Sequence, residues 1–124
     1  MRKLKRKMSP LAKGQLKELK AFNEVLYGKP RAHQIYFSLK ECLHALADFP
    51  GLGYVEPTLK DFPQCFRTFV QHPNLKIVYW IEDGYVKIAM FFDTRQEPGK
   101  LRYTIEHSND WVCEDMEPYG LTDG

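Results

Sequence analysis

Four basic residues lie at strand-like apolar runs in the second half of the chain, where they could act together on a phosphate. Arg67 lies inside "CFRTF", His72 follows that run, Lys76 enters the next run, and Arg95 follows the last one. Metal-independent RNA cleavage needs a base for the 2′-hydroxyl, cations for the phosphorane and an acid for the leaving oxygen. His72 suits either proton transfer, the arginines suit the phosphate charge, and Lys76 suits either role if its pKa is lowered. These four are the candidate catalytic residues of a nuclease.

The same residues also have structural interpretations. Arg67 and Lys76 are compatible with solvated positions on an exposed sheet face, and His72, which precedes Pro73, is compatible with shaping a turn. Tyr79 joins Arg67, Lys76 and Arg95 as a candidate contact to a target or a partner protein. A tyrosine within a strand is, however, more often part of the core.

Asp93 and Arg95 raise a separate question at the end of the last apolar run, in "FFDTRQEP". Residues two apart in a strand project to the same side, so the two side chains are expected to pair. Either the pair is buried or half-buried and stabilises the end of the sheet, or Asp93 orients Arg95 for contact with a phosphate or a target.

The sequence contains none of the common motifs of metal or cofactor enzymes. It has no Gly-rich phosphate loop, no HExxH, no GxSxG and no paired-cysteine zinc spacing. We therefore predict no metal and no cofactor. The three cysteines are odd in number and far apart, which predicts reduced thiols. No apolar run approaches the roughly 20 residues of a membrane span, and the basic N-terminus lacks a signal peptide's apolar region, which predicts a cytoplasmic protein.

Charge is unevenly distributed along the 124 residues. All 18 lysines and arginines lie in residues 1–103, whereas residues 104–124 carry acidic side chains and neither Lys nor Arg. This predicts a basic domain over residues 1–103 and an acidic C-terminal tail over residues 104–124. The basic domain suits a polyanionic partner, nucleic acid or an acidic protein segment, although ordinary solubility charge is an equal alternative.

The tail interleaves its acids with apolar side chains, namely Trp111, Val112, Met116 and Tyr119. It is therefore able to fold back over the region of Arg67 and Lys76. The alternative is a flexible or lightly packed extension, because acidic tails are commonly disordered. If the tail covers this region, we expect that residues 105–124 can be deleted without loss of the fold.

Periodicity divides the chain into a helical half and a strand half. "KLKRKM" alternates as a short edge strand, and two amphipathic helices are predicted over residues 10–27 and 31–48. Ser9 and Pro10 suit a helix start, and Gly28 suits its end. "PGLGYVEP" is expected to be a loop. Three β-rich runs with short links follow: "QCFRTFVQH", "LKIVYWIE" and "YVKIAMFFD".

These elements predict an α+β fold of order β-α-α-β-β-β, in which a helical hairpin packs on one face of a twisted antiparallel sheet. "KLRYTIEH" is expected to form a terminal strand or a short helix. The predicted core residues are Phe66, Val78, Ile81, Ile88 and Met90.

Three segments together resemble the RelE/ParE superfamily of type II toxin–antitoxin toxins. They are "MSPLAKGQLKEL", "ADFPGLGYVEPTL" and "FRTFVQHPNLKIVYWIEDGYVKIAMFFDTRQEPGKL", and the resemblance covers roughly residues 3–101. It implies a bacterial toxin that is neutralised by a co-encoded antitoxin. Some members are ribosome-dependent mRNA endonucleases, and others inhibit DNA gyrase, so the implied targets are the ribosome with its mRNA, or gyrase.

The nuclease members carry basic residues at positions that match Arg67, Lys76 and Arg95. The chain departs from them where Gln96 follows Arg95, where Phe69 replaces a frequent lysine, and where Tyr103 is a displaced candidate for the C-terminal tyrosine. These departures favour an inhibitor that binds gyrase or another protein without catalysis. Ribosome-dependent mRNA cleavage is the alternative.

Overall fold

The computed structural model describes residues 4–71 and 74–113, and it shows the predicted α+β architecture, with the terminal element at "KLRYTIEH" formed as a helix. The predicted order β-α-α-β-β-β is confirmed, with a two-residue strand inserted after the second helix and a third helix at the end. The elements are β1 (Lys5–Met8), α1 (Pro10–Tyr27), α2 (Lys29–Asp48), β2 (Tyr54–Val55), β3 (Arg67–Gln71), β4 (Leu75–Glu82), β5 (Tyr85–Asp93) and α3 (Gly99–His107).

The sheet has five strands in the order β1-β5-β4-β3-β2. The pairs β2–β3, β3–β4 and β4–β5 are antiparallel, and β1 pairs with β5 in parallel. The segment "PGLGYVEP", expected to be a loop, supplies β2 and therefore one edge of the sheet. The other edge is β1, at the position expected for the basic N-terminal strand.

Ser9 joins the first helix to the centre of the sheet. Its hydroxyl accepts a hydrogen bond from the backbone N of Ala12. Ser9 is therefore the N-cap of α1, as predicted. The same hydroxyl donates to the carbonyl of Ala89 at 2.6 Å. Opposite Ala89 the β4–β5 register shifts between Val78 and Tyr79, so Ala89 is an extra residue in β5. The N-cap thus satisfies a carbonyl at a bulge.

Helices cover both faces of the sheet. On the face that we call the hairpin face, α1 and α2 pack on strand residues; the buried residues here include Leu39, Leu43, Leu46, Ile77, Tyr79, Val86, Ile88 and Phe91. On the opposite face, the α3 face, the buried residues include Phe66, Val78, Trp80, Met90, Phe92, Leu101, Ile105 and Trp111. The prediction of a helical hairpin on one face is confirmed, and α3 closes the other face.

Four of the five predicted core residues are buried, but the prediction for Ile81 is wrong. Ile81 is 42% exposed. The reason is that β3 pairs with β4 only as far as Tyr79, so Ile81 extends beyond the end of the neighbouring strand. On α1, Asn23 is buried, whereas Phe22 and Leu26 are more than half exposed.

The last described segment is part of the core. The predicted boundary between residues 103 and 104 falls inside α3. Trp111 is 7% exposed, and its Nε1 donates to the carbonyl of Ile105 at 2.8 Å. The burial of Ile105 and Trp111 on the α3 face argues against the expectation that residues 105–124 can be deleted without loss of the fold. Met116 and Tyr119 lie outside the described residues.

Within residues 4–71 and 74–113, no helix is both long enough and apolar enough to cross a bilayer. In the same residues, no group of three or more His, Cys, Asp or Glu side chains is placed to hold a metal ion.

Candidate functional site

Arg67 and Tyr79 fix the loop of residues 50–53, which we call the Gly53 loop. The two residues face each other on β3 and β4. The Nε of Arg67 donates to the Gly53 carbonyl at 3.0 Å, and its Nη2 donates to the same oxygen at 2.6 Å. The Tyr79 hydroxyl donates to the Pro50 carbonyl at 2.7 Å and accepts from the Gly53 N at 2.9 Å. Tyr79 is fully buried, so in this structure it positions the loop rather than presenting a surface for contact.

Substitution of Gly53 tests how closely the Gly53 loop packs against β3 and β4. A Cβ at position 53 would lie 2.6 Å from the Thr68 carbonyl oxygen and 2.7 Å from the Tyr79 hydroxyl, whereas a Cβ at Gly51 meets nothing within 4 Å. We expect Gly53→Ala to lower the free energy of unfolding by about 1–3 kcal/mol, as overpacking does. Gly51→Ala is the matched control and should change little in the same denaturant melts. Equal midpoints for the two variants would contradict the close packing described here.

Lys76 lies on the other side of the sheet, where it meets a buried carboxylate. Its Nζ is 3.3 Å from Oε1 of Glu56, whose side chain is only 1% exposed. Glu56 also accepts hydrogen bonds from the hydroxyls of Thr68 at 2.6 Å and Thr58 at 2.8 Å. Burial alone would raise the pKa of Glu56, but these hydrogen bonds and the charge of Lys76 together lower it. Lys76 and Glu56 line a small cavity of about 120 Å³ that also includes Gln96.

Arg95 is the most exposed of the candidate residues that the structure describes. Its guanidinium makes two hydrogen bonds with Asp93, Nε to Oδ1 at 3.0 Å and Nη2 to Oδ2 at 2.6 Å. Hydrogen bonds from Arg95 lower the pKa of the Asp93 carboxyl. The Arg95 side chain is 69% exposed, so the expected Asp–Arg pair forms at the surface, and Asp93 orients the guanidinium.

Arg95 opens onto a cleft of about 460 Å³ between the α1–α2 hairpin and the end of the sheet. We call this space the hairpin cleft. Lys20 and Arg31 line it from the helices, and Leu75 and Asp93 line it from the strands. Sequence reasoning missed Lys20 and Arg31 as site residues, because they lie on helices far from the strand residues in the chain. Their helical positions were predicted, but their distance from Arg95 depends on how the hairpin packs.

The structure does not bring the candidate cations into one cluster. Arg67 pairs with Tyr79 and Lys76 pairs with Val70. Positions 79 and 76 differ by an odd number, so their side chains project to opposite faces of β4. The interpretation that Arg67, His72 and Lys76 share one neighbourhood is therefore wrong for Arg67 and Lys76, and His72 lies outside the described residues. Arg67 and Arg95 are both on the hairpin face, but the Arg67 guanidinium donates its hydrogen bonds to the Gly53 loop.

Comparisons with known proteins bear on the fold alone. No family model and no curated protein matches the chain. A chain of the chromosomal ParDE TA system from P. aeruginosa has a similar structure, with a TM-score of 0.60 and 16% sequence identity. The match covers 73% of this chain and 95% of that chain. The fold is therefore of the RelE/ParE type expected from the sequence resemblance.

Proposed function

We propose that this chain is the toxin of a bacterial type II toxin–antitoxin pair, and that it arrests growth by binding a target protein without catalysis. The ordered resemblance over residues 3–101 and the structural likeness to a chain of a ParDE system support the toxin role. The proposed partners are a co-encoded antitoxin and, as the target, DNA gyrase or another cytoplasmic protein.

The separation of Arg67 from Lys76 is the observation that favours binding over RNA cleavage. Metal-free cleavage requires cations and proton-transfer groups around a single phosphate. Arg67 donates to the carbonyls of the Gly53 loop, and Lys76 pairs with Glu56 on the other face. Both cations thus have structural partners, and a phosphate would have to displace them.

Arg95 is the residue that we propose contacts the target. It is exposed, it is held by Asp93, and it lies at the hairpin cleft beside Lys20 and Arg31. A guanidinium that is already oriented loses less conformational entropy when it binds a carboxylate or a phosphate. An acidic surface on the target would suit this basic side of the hairpin cleft.

We expect induced expression of the chain in a bacterial host to stop growth, and co-expression of the antitoxin to restore it. Arg95→Ala should abolish the arrest while leaving the melting temperature nearly unchanged, because the Asp93–Arg95 pair is solvent-exposed. The control is Lys100→Ala, which removes an exposed cation from α3 and should leave the arrest intact. Normal growth at high soluble expression would refute the proposal, and unfolding of Arg95→Ala would show a structural role instead.

Two assays separate binding from cleavage. Primer extension on translated mRNA from induced cells detects cuts at the ribosome, and a gyrase supercoiling assay with purified protein detects inhibition of that enzyme. We expect no induced cuts in the mRNA. Cuts that appear on induction and disappear with Arg67→Ala or Lys76→Ala would replace the proposal with the nuclease alternative.

A further inference from the structure

Asn23 is a buried polar residue of α1 whose side chain makes no hydrogen bond within residues 4–71 and 74–113. It is 8% exposed and lies inside the helix, where asparagine has a low propensity. Burying an amide without a hydrogen bond also costs free energy. Asn23 is therefore unfavourable for the fold on two counts, which is typical of residues that serve a binding site.

The Asn23 amide opens onto the hairpin cleft. Asn23 lines this cleft of about 460 Å³ together with Leu19, one helical turn earlier, and Leu39 of α2. In the described part of the chain, Gln64 Oε1 is the one fully enclosed side-chain N or O atom without a partner. The Asn23 amide is therefore not sealed from water, and it is a polar group that a ligand in the cleft can reach.

The lining of the hairpin cleft matches a peptide with acidic side chains. A carboxamide has donors and an acceptor, so it can pair with both the C=O and the N–H groups of a backbone segment. The apolar residues of the lining are Leu16, Leu19, Ile35, Leu39 and Leu75. They suit an apolar side chain, while Lys20, Arg31 and Arg95 suit carboxylates. Because the backbone groups inside a helix are already paired, the segment that meets Asn23 must be extended.

We propose that the hairpin cleft binds an extended, acidic segment of a partner protein, and that Asn23 determines specificity by hydrogen bonding to the backbone of that segment. This inference deepens the proposed function and rests on it for the existence of a protein partner. The cleft is within the roughly 300–1,000 Å³ of small-ligand sites, so it receives a short part of the partner. Phosphates of a nucleic acid would also suit the cations, but the leucines around Asn23 favour a peptide.

The stability of Asn23→Leu tests whether the amide lacks a partner. Leucine keeps the branched shape and removes the unpaired polar group, so we expect the melting temperature to rise by about 3–6 °C. The matched control is His33→Leu at an exposed residue of α2, because histidine and asparagine have similar helix propensities. The control should rise by less. A fall for Asn23→Leu, or a rise no larger than that of the control, overturns the proposal.

An NMR titration of the full chain tests recognition. The probe is a capped peptide of alternating glutamate and leucine, and the readouts are the side-chain amide signal of Asn23 and the dissociation constant. We expect this signal to shift, and Asn23→Leu to weaken binding at least about fivefold, the scale of one net hydrogen bond. N-methylation of the peptide's leucine nitrogens removes backbone donors and should shrink the difference between the two chains. His33→Leu should bind as the unaltered chain does.

The outcomes separate this inference from the proposed function. A peptide that leaves the Asn23 signal unchanged, or that binds Asn23→Leu as tightly as the unaltered chain, overturns the inference. A shift with oligouridylate, or on concentrating the protein alone, but not with the peptide would assign the cleft to nucleic acid or to a second copy, and it overturns the inference too. Because none of these measurements uses growth arrest, a chain that binds the peptide but does not arrest growth refutes the proposed function alone.

Discussion

Trp111→Ala is expected to lower the free energy of unfolding by about 3–5 kcal/mol, the usual cost of truncating a buried Trp. Trp111 stacks edge-to-face with Phe66 at a centroid distance of 5.4 Å and with Trp80 at 5.7 Å. Its indole N–H is also satisfied by Ile105. Truncation would leave a cavity on the α3 face between α3 and the sheet. Since small domains have only about 5–15 kcal/mol of stability, the melting temperature should fall by more than about 10 °C.

Tyr103→Ala is the matched control for this measurement. Tyr103 is also an aromatic residue of the C-terminal region, but it is 60% exposed and stacks on His107 at a centroid distance of 4.1 Å. Its replacement should change the free energy of unfolding by at most about 0.5 kcal/mol, as at other surface positions. Similar thermal melts for the two variants would mean that residues after α3 do not belong to the core.

The helices and the three long strands were predictable because their signals are local. Ser9, Pro10 and Gly28 mark the ends of α1, and the structure places that helix at Pro10–Tyr27, the residues predicted from the sequence. The strands of the meander are separated by short links, which leave antiparallel pairing as the one arrangement available. Each of these inferences uses residues that are close in the chain.

The candidate site was less predictable because it depends on which face each side chain takes. Adjacent strand ends suggested that Arg67 and Lys76 would meet, but the pairing of Arg67 with Tyr79 puts them on opposite faces. A one-residue change in register would have reversed this outcome. The pairing of Asp93 with Arg95 was predicted from an extended segment, but it forms in a turn. Strand β5 ends at Asp93, whose Oδ1 accepts from the backbone N of Arg95 and whose carbonyl accepts from the backbone N of Gln96.

The core role of Trp111 could not be read from charge. The acidic composition of residues 104–124 suggested a tail separate from the fold, yet the buried positions Ile105, Trp111 and Cys113 lie among those acids. Ile105 lies within α3, where apolar residues have a helical spacing. Trp111 and Cys113 follow it, and the turn after α3 returns Trp111 to the sheet. Net charge describes the exposed side chains of a segment and says little about the few that it buries.

Glu56 is the second residue whose replacement is expected to have a large effect. It accepts hydrogen bonds from Thr58 and Thr68 and pairs with Lys76, which lie 2, 12 and 20 residues away in the chain. Glu56→Ala would remove the carboxylate that all three groups contact. The buried Thr68 hydroxyl would lose the acceptor of its hydrogen bond. We expect the free energy of unfolding to fall by about 3 kcal/mol, within the range for breaking a buried polar network. Glu97→Ala, at an exposed glutamate, is the control for denaturant melts.

Glu56→Gln removes the charge of this side chain and keeps its shape. Comparing its stability with that of the unaltered chain at several pH values therefore shows what the charge contributes. Because the pKa of Glu56 is lowered on folding from an ordinary value of 4.5, its ionised form stabilises the native state above that pH. This stabilisation is lost as the pH falls through the lowered pKa of the folded state. The unaltered chain should therefore exceed Glu56→Gln in stability by about 1.5–3 kcal/mol at neutral pH, the scale of one hydrogen bond to a charged group. The difference should shrink in acid, and a gap that stays constant down to the acid limit would show that the charge of Glu56 does not contribute.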